Sequence, residues 1–310
     1  MRRVALNSDM VIPLAVKIKQ WKCDVVYTNT ITVCVGALAA RLLGLPHVWH
    51  IHEFGYKNHA LIFDLGSKLS LWLMNHLSTI CIANSHAIAK KYQRYIEPSK
   101  VKVIYQSVSI PQNISDEKAC VIPNTGIRCV IVGALQEGKR QEDAIRAISE
   151  LVHNRRINVE LLIIGDGDPK YRNYLHKLVS ENKLDENVRF LGYVENPFPF
   201  MKSADVVLMC SRNEAFGRVT VEAMKLGKPV IGASSGGTVE LIKNGVNGLL
   251  YTPGDYKELA EKIIYLHEHP EIAKQMGENA KKWAEQQFTE ERYGNEVFAI
   301  LKQLVSPSSP

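Results

Sequence analysis

Two glutamates, Glu214 and Glu222, stand eight positions apart in CSRNEAFGRVTVEAMKLGKPVIGASSGGTVE (210–240), with a Phe-Gly pair between them and a double glycine after them. On one continuous helix, eight steps of about 100° leave two side chains roughly 80° apart, so these acids are not paired ligands on one face. The pattern predicts Glu214 on a loop, Gly217 ending that loop, and Glu222 on a helix that starts near Arg218. A carboxylate accepts hydrogen bonds from two neighbouring hydroxyls, and the start of a helix offers unpaired N–H groups to an anion. A ligand with both hydroxyls and negative charge would use such a combination.

Two further stretches place polar residues where a strand gives way to a loop, although on composition alone the lysine of the second is an ordinary loop residue. HVWHIHEFG (47–55) reads as a strand ending at His52 and Glu53, and the carboxyl ends of parallel strands are where ligands bind. A histidine on an apolar strand is more often a packed core residue, and His50 is read that way. VGALQEGKRQEDAIRA (132–147) reads as strand, loop and helix, with Lys139 and Arg140 in the loop. By contrast, LLIIGDGD (161–168) lacks the G-x-G-x-x-G of a dinucleotide site and is read as a tight turn after a strand.

Elements that position these residues alternate along most of the chain. CDVVYT (23–28), HVWHIHE (47–53), TICIAN (79–84) and VKVIYQ (101–106) are strand-like, with helical periodicity between them, and Ser85 is placed to cap a helix. Residues 111–126 lose the pattern and read as a linker. From residue 127 to about 285 a second alternation supplies six strands. Strand and helix in alternation imply parallel sheets with crossover helices. The boundaries expected are an incomplete Rossmann-like domain over 1–110, a linker over 111–126, a second Rossmann-like domain over 127–285, and a terminal helix over 286–310 that reaches back to the first domain.

Composition narrows the class. With 310 residues, 46% of them hydrophobic and 23% charged, the chain has material for two cores. Its apolar runs are too short or interrupted for a membrane span, and the scattered cysteines have no CxxC spacing, which suits reduced thiols in the cytoplasm. Residues 1–110 carry 13 Lys plus Arg against 5 Asp plus Glu, a balance of +8, so the total of +6 leaves −2 for the rest. An anionic membrane surface or phosphate-bearing lipid fits that basic half, as does a solvated face without a partner; Trp72, Lys90 and Lys91 are candidate contacts. No nucleic-acid motif is present, and no nucleic-acid partner is expected.

The stretch NEAFGRVTVEAMKLGKPVIGASSGGTVELI resembles the signature of retaining GT-B glycosyltransferases of glycosyltransferase family 4. The resemblance runs from about Asp24 to the final helix. It implies the α/β GT-B fold, two Rossmann-like doubly wound domains facing a cleft, here with the first one truncated. It also implies transfer of a sugar from a nucleotide-diphosphate sugar to a glycan or lipid-linked acceptor, with retention at the anomeric carbon. Glu222 would meet the ribose and Glu214 the transferred sugar, while Ala215, Phe216, Gly217, Arg218 and Val219 would bring backbone to the diphosphate. Gly133 and Lys139 would serve the diphosphate too. The family's usual Arg is Ala134 here, and its usual glycine after the lysine is Arg140, which is expected to replace part of the lost contact. Tyr193 and Val194 would face the base, and His52 the donor sugar. His52, Glu214 and Lys139 are the catalytic candidates, without metal or cofactor.

VIYQSVSI departs from the family's Asn-Gly-Val-Asp at Gln106, Ser107 and Ser109, and nothing before Asp24 resembles the family's opening strand and glycine-rich loop. The absent opening and Ala134 leave a rival expectation, a nucleotide-sugar-binding protein with weak or no transfer. The location expected is cytoplasmic, peripheral at the inner face of the membrane.

Overall fold

The computed structural model describes residues 9–55, 66–114 and 126–305. The chain divides into two compact units, one of Met1–Ser107 with Glu290–Pro310, the other of Val108–Thr289.

In the first unit, helix α1 (Val11–Gln20) precedes strand β1 (Val26–Thr28), followed by α2 (Val35–Leu43), β2 (His47–Ile51), α3 (Ser67–Leu77), β3 (Ile80–Ala83), α4 (His86–Tyr92) and β4 (Val101–Val103). The strands pair in parallel in the order β1-β2-β3-β4. Every residue of β2 is buried, as parallel strands covered on both faces require. Gly44 closes α2 in a left-handed turn, and Ser85 caps α4 by accepting from the Ile88 N–H at 3.1 Å. Of the helical stretch expected between β2 and β3, the part from Ser67 is seen; residues 56–65 and most of the expected linker lie outside the described residues.

The last helix, α12 (Glu290–Val305), belongs to this unit. Its Tyr293, Val297, Ile300, Leu301 and Leu304 form one stripe at helical spacing and pack against Val48, Ile82 and Ile104.

In the second unit, β5 (Ile127–Val132), α5 (Gln141–Ser149), β6 (Val159–Ile164), α6 (Pro169–Glu181) and β7 (Val188–Gly192) form the first half. Then come α7 (Phe198–Ser203), β8 (Val206–Met209), α8 (Arg218–Lys225), β9 (Val230–Ala233), α9 (Thr238–Leu241), β10 (Leu249–Tyr251), α10 (Tyr256–Glu268) and α11 (Pro270–Gln287). All six strands are parallel, in the order β10-β9-β8-β5-β6-β7. The chain runs outward one way from β5 to β7, then returns to place β8 on the other side of β5. The carboxyl ends of β5 and β8 therefore flank a topological switch point, the usual crevice for ligands in such sheets. Asp168 caps α6 on the N–H groups of Lys170 and Tyr171, and Asp255 caps α10 on that of Glu258. The expected domain limit at 285 falls inside α11, a helix absent from the sequence reading. Its buried face is Met276, Gly277, Ala280 and Ala284, mostly small residues that make a faint apolar signal.

Candidate active site

The loops at the switch point are tied to one another by their backbones. The Arg212 N–H donates to the Gly138 carbonyl at 3.0 Å, joining the β8 loop to the β5 loop. The Gly237 N–H donates to the Glu214 carbonyl at 2.6 Å, and the Ser235 hydroxyl donates to the Arg212 carbonyl, joining the β9 loop to the β8 loop at two points. The double glycine is what permits this approach: a Cβ on Gly236 would stand 2.4 Å from the Glu214 carbonyl oxygen.

Within this assembly Lys139 Nζ lies 2.7 Å from Glu214 Oε2, with 24% and 13% of the two side chains exposed. The methylenes of Lys139 pass over Gly133, where an added Cβ would meet its Cδ at 4.0 Å. Gly217 precedes α8 with φ +100, a conformation that L side chains rarely adopt. Ala215 and Phe216 are buried, and the Phe216 ring meets Phe288 edge-on with centroids 5.6 Å apart. This anchor fixes the loop from below.

From Arg218, α8 carries Glu222 inward. The Glu222 side chain is 11% exposed, and its nearest ionic partner is Arg218 at 3.6 Å. Burial pushes its carboxyl above the ordinary range, while Arg218 draws it back down. Val219 is half-buried and Arg218 is exposed. Glu214 and Glu222 are thus both withdrawn from bulk water on either side of the Gly217 turn. Sequence reasoning missed Thr220 and Thr238, whose buried hydroxyls find no partner among the described residues. Only burial identifies them, because a threonine near a helix start is otherwise unremarked.

Arg140 takes a different place from the one expected. Its backbone is left-handed (φ 52, ψ 44), as the family's usual glycine would allow, and its guanidinium turns to Asp143 in a two-pronged pair at 2.7 and 2.9 Å. It is held by a carboxylate rather than turned to the loop after β8. Tyr193 is 79% exposed after β7, beside half-buried Val194, and the Gly165 N–H donates to the Gly192 carbonyl just before them.

His52 lies in the first unit, directly after β2. Its Nε2 is 2.5 Å from Asn29 Oδ1, its ring lies 3.9 Å from that of His50, and Gln106 shares a hydrogen bond with it. Burial lowers its pKa and the Gln106 bond opposes that. The departure at Gln106 therefore has a local partner. His50 is fully buried, with Tyr27 Oη 2.6 Å from its Nδ1, and burial pushes it down to about 3, with His52 adding to the shift. It is a packed strand residue.

Residues 114–283 match the family model for glycosyl transferases group 1, and residues 2–110 match that for glycosyltransferase family 4. The chain belongs to the group 1 glycosyltransferases. The match begins at residue 2, well ahead of Asp24, so the likeness to the family extends over α1, which the motif reading left out. N-acetyl-alpha-D-glucosaminyl L-malate synthase of Bacillus anthracis is 28% identical over 69% of this chain and 57% of the relative, so the chain spans little more than half of that protein. An uncharacterized glycosyltransferase of Methanocaldococcus jannaschii is 30% identical over 81% of this chain and 67% of the relative. The crystal structure of Anabaena HepE in complex with UDP is similar with a TM-score of 0.81 and 29% identity, covering 94% of this chain and 82% of HepE. Both units are the Rossmann-like units of GT-B glycosyltransferases.

Proposed function

We propose that this group 1 glycosyltransferase moves a sugar from a nucleoside-diphosphate sugar, with retention, to a glycan or lipid-linked acceptor in polysaccharide or glycoconjugate synthesis. The observation that carries the reading is the Lys139–Glu214 pair at the switch point, beside the start of α8. An ammonium there meets the charge that builds on a departing diphosphate, and the N–H groups that open α8 add to it. Glu214 then accepts from hydroxyls of the transferred sugar, Glu222 from the ribose, and the backbone at Tyr193 and Val194 faces the base. In the free protein Lys139 and Glu214 neutralise each other; a donor supplies each with a new partner of the right kind. The donor's own phosphate is the base for the incoming hydroxyl, so positioning and electrostatics supply the catalysis.

UDP-sugars are the donor class to try first, because HepE, 29% identical to this chain over the matched part, has been solved with UDP and with UDP-glucose. The acceptor class is supported by a capsular polysaccharide biosynthesis glycosyltransferase of Staphylococcus aureus, 24% identical over 77% of this chain. Calorimetric titration with UDP, ADP and GDP, followed by transfer of radiolabelled sugar to lipid-extract and glycan acceptors, tests the proposal. Nucleotide binding without donor hydrolysis or transfer would point to a binding protein instead. Failure to bind any of the three nucleotides would sink the donor reading.

Docking on an anionic membrane surface is part of the same proposal, and α1 supports it better than the residues first considered. Trp72 stacks on His76, and the Lys91 ammonium is bonded to the Phe54 carbonyl. On α1 and just after it, Ile12, Val16 and Trp21 are exposed beside exposed Lys17, Lys19 and Lys22. Among the described residues no helix is long and apolar enough to cross a membrane.

A further inference from the structure

Asp143, on the first turn of α5, is fully buried and holds four donors: Arg140 Nε at 2.9 Å, Arg140 Nη2 at 2.7 Å, the Gly254 N–H at 3.2 Å and the Tyr251 hydroxyl at 3.4 Å. Its own N–H donates to the Arg140 carbonyl at 3.0 Å. Side chain and backbone thus both close on residue 140. That residue occupies the left-handed region, which is unfavourable for a residue with a Cβ. Lys139 comes immediately before it, and its Nζ reaches Glu214.

We infer that Asp143 is a positioning residue for Lys139: by clasping the Arg140 guanidinium it holds the left-handed turn that carries the lysine to Glu214. Glycine would take that turn without cost; at arginine the clasp offsets the cost. Gly254 and Tyr251 bring the end of β10 to the same carboxylate, so the loop is also tied to the far half of the sheet. The functional consequence rests on the donor reading above, whereas the placement of Lys139 is testable without it.

Four variants are measured in two ways: Asp143→Asn, Arg140→Ala, Arg140→Gly, and Asp143→Asn combined with Arg140→Gly. One measurement is UDP affinity by calorimetry. The other is the rate at which acetic anhydride labels Lys139, read by mass spectrometry against exposed Lys177. Circular dichroism establishes that each variant is folded. Asp143→Asn and Arg140→Ala are expected to weaken UDP binding about fivefold and to speed Lys139 labelling by a similar factor, with Lys177 unchanged. The double variant is expected to match Arg140→Gly within about twofold in both, because glycine makes the clasp unnecessary.

A double variant no better than Asp143→Asn would overturn the inference, since Asp143 would then act through Tyr251 and Gly254 alone. Equal labelling of Arg140→Ala and Arg140→Gly would overturn it as well. If the wild-type protein binds none of UDP, ADP and GDP, the donor reading fails and the labelling series still decides the positioning role. If it binds UDP and Asp143→Asn changes neither measurement, the positioning role alone fails.

Discussion

Lys139 Nζ and Glu214 Oε2 are 2.7 Å apart, although 75 positions separate the two residues in the chain. They stand on loops that leave β5 and β8, neighbouring strands at the point where the sheet changes direction. A charge pair this close and this little exposed holds both side chains in place.

Removing either member should cost catalysis. Lys139→Ala or Glu214→Ala is expected to lower turnover of radiolabelled donor by about tenfold or more, since each leaves developing charge or sugar hydroxyls unmatched. Lys139→Ala should also weaken nucleoside-diphosphate binding, whereas Glu214→Ala should affect the intact donor sugar more than the nucleotide. Near-normal turnover in both would remove the assigned roles.

Gly217→Ala should damage the turn without touching a charge. At φ +100 an alanine is strained, and its Cβ would meet Leu241 Cδ1 at 3.2 Å, Thr220 Oγ1 at 3.3 Å and Glu214 Cγ at 3.4 Å. A loss of about 1–2 kcal/mol is expected, with Tm lower by roughly 2–4 °C and weaker UDP binding. An unchanged melting curve would show that the turn tolerates a side chain.

Acid should destabilise the first unit through two buried histidines of β2. Burial lowers His50 from 6.5 to about 3 and His47 from 6.5 to about 4. Below pH 6.5 the unfolded chain binds protons that the folded chain refuses, so stability is complete above 6.5 and is lost as pH falls towards 4. The slope is about 1.4 kcal/mol per pH unit for each histidine. Urea midpoints followed by circular dichroism between pH 7.5 and about 4.5 should fall accordingly, and His50→Gln should remove one proton's share. The same slope in that variant would assign the acid sensitivity to other groups.

Membrane docking makes a salt-dependent prediction. The chain should sediment with vesicles containing anionic lipid at low ionic strength and be released at about 0.5 M salt. Val16→Asp, on the exposed face of α1, should weaken the apolar share between Ile12 and Trp21 and reduce sedimentation severalfold. Equal sedimentation of wild type and Val16→Asp would exclude α1 as the docking face.

Much of the architecture was legible because parallel strands and their crossover helices leave strong periodic marks. VELLII is buried at every position, and the stripe from Tyr293 to Leu304 repeats at helical spacing. Helix α11 escaped because its buried face is mainly alanine and glycine, which pack closely but carry little hydrophobic contrast. Within the site, the Gly217 turn and the helix after it follow from local chemistry, since only a few residue types suit a left-handed turn before a helix.

Sequence alone thus determined the two runs of strand and helix, the turn between Glu214 and Glu222, and the family motifs. Tertiary structure decided which charges meet. Nothing local says that Lys139 reaches Glu214, that Tyr251 and Gly254 close on Asp143, or that Gln106 bonds to His52. Those pairings depend on strand order and on which side chains lose water on folding, and both are properties of the assembled sheet rather than of any short stretch.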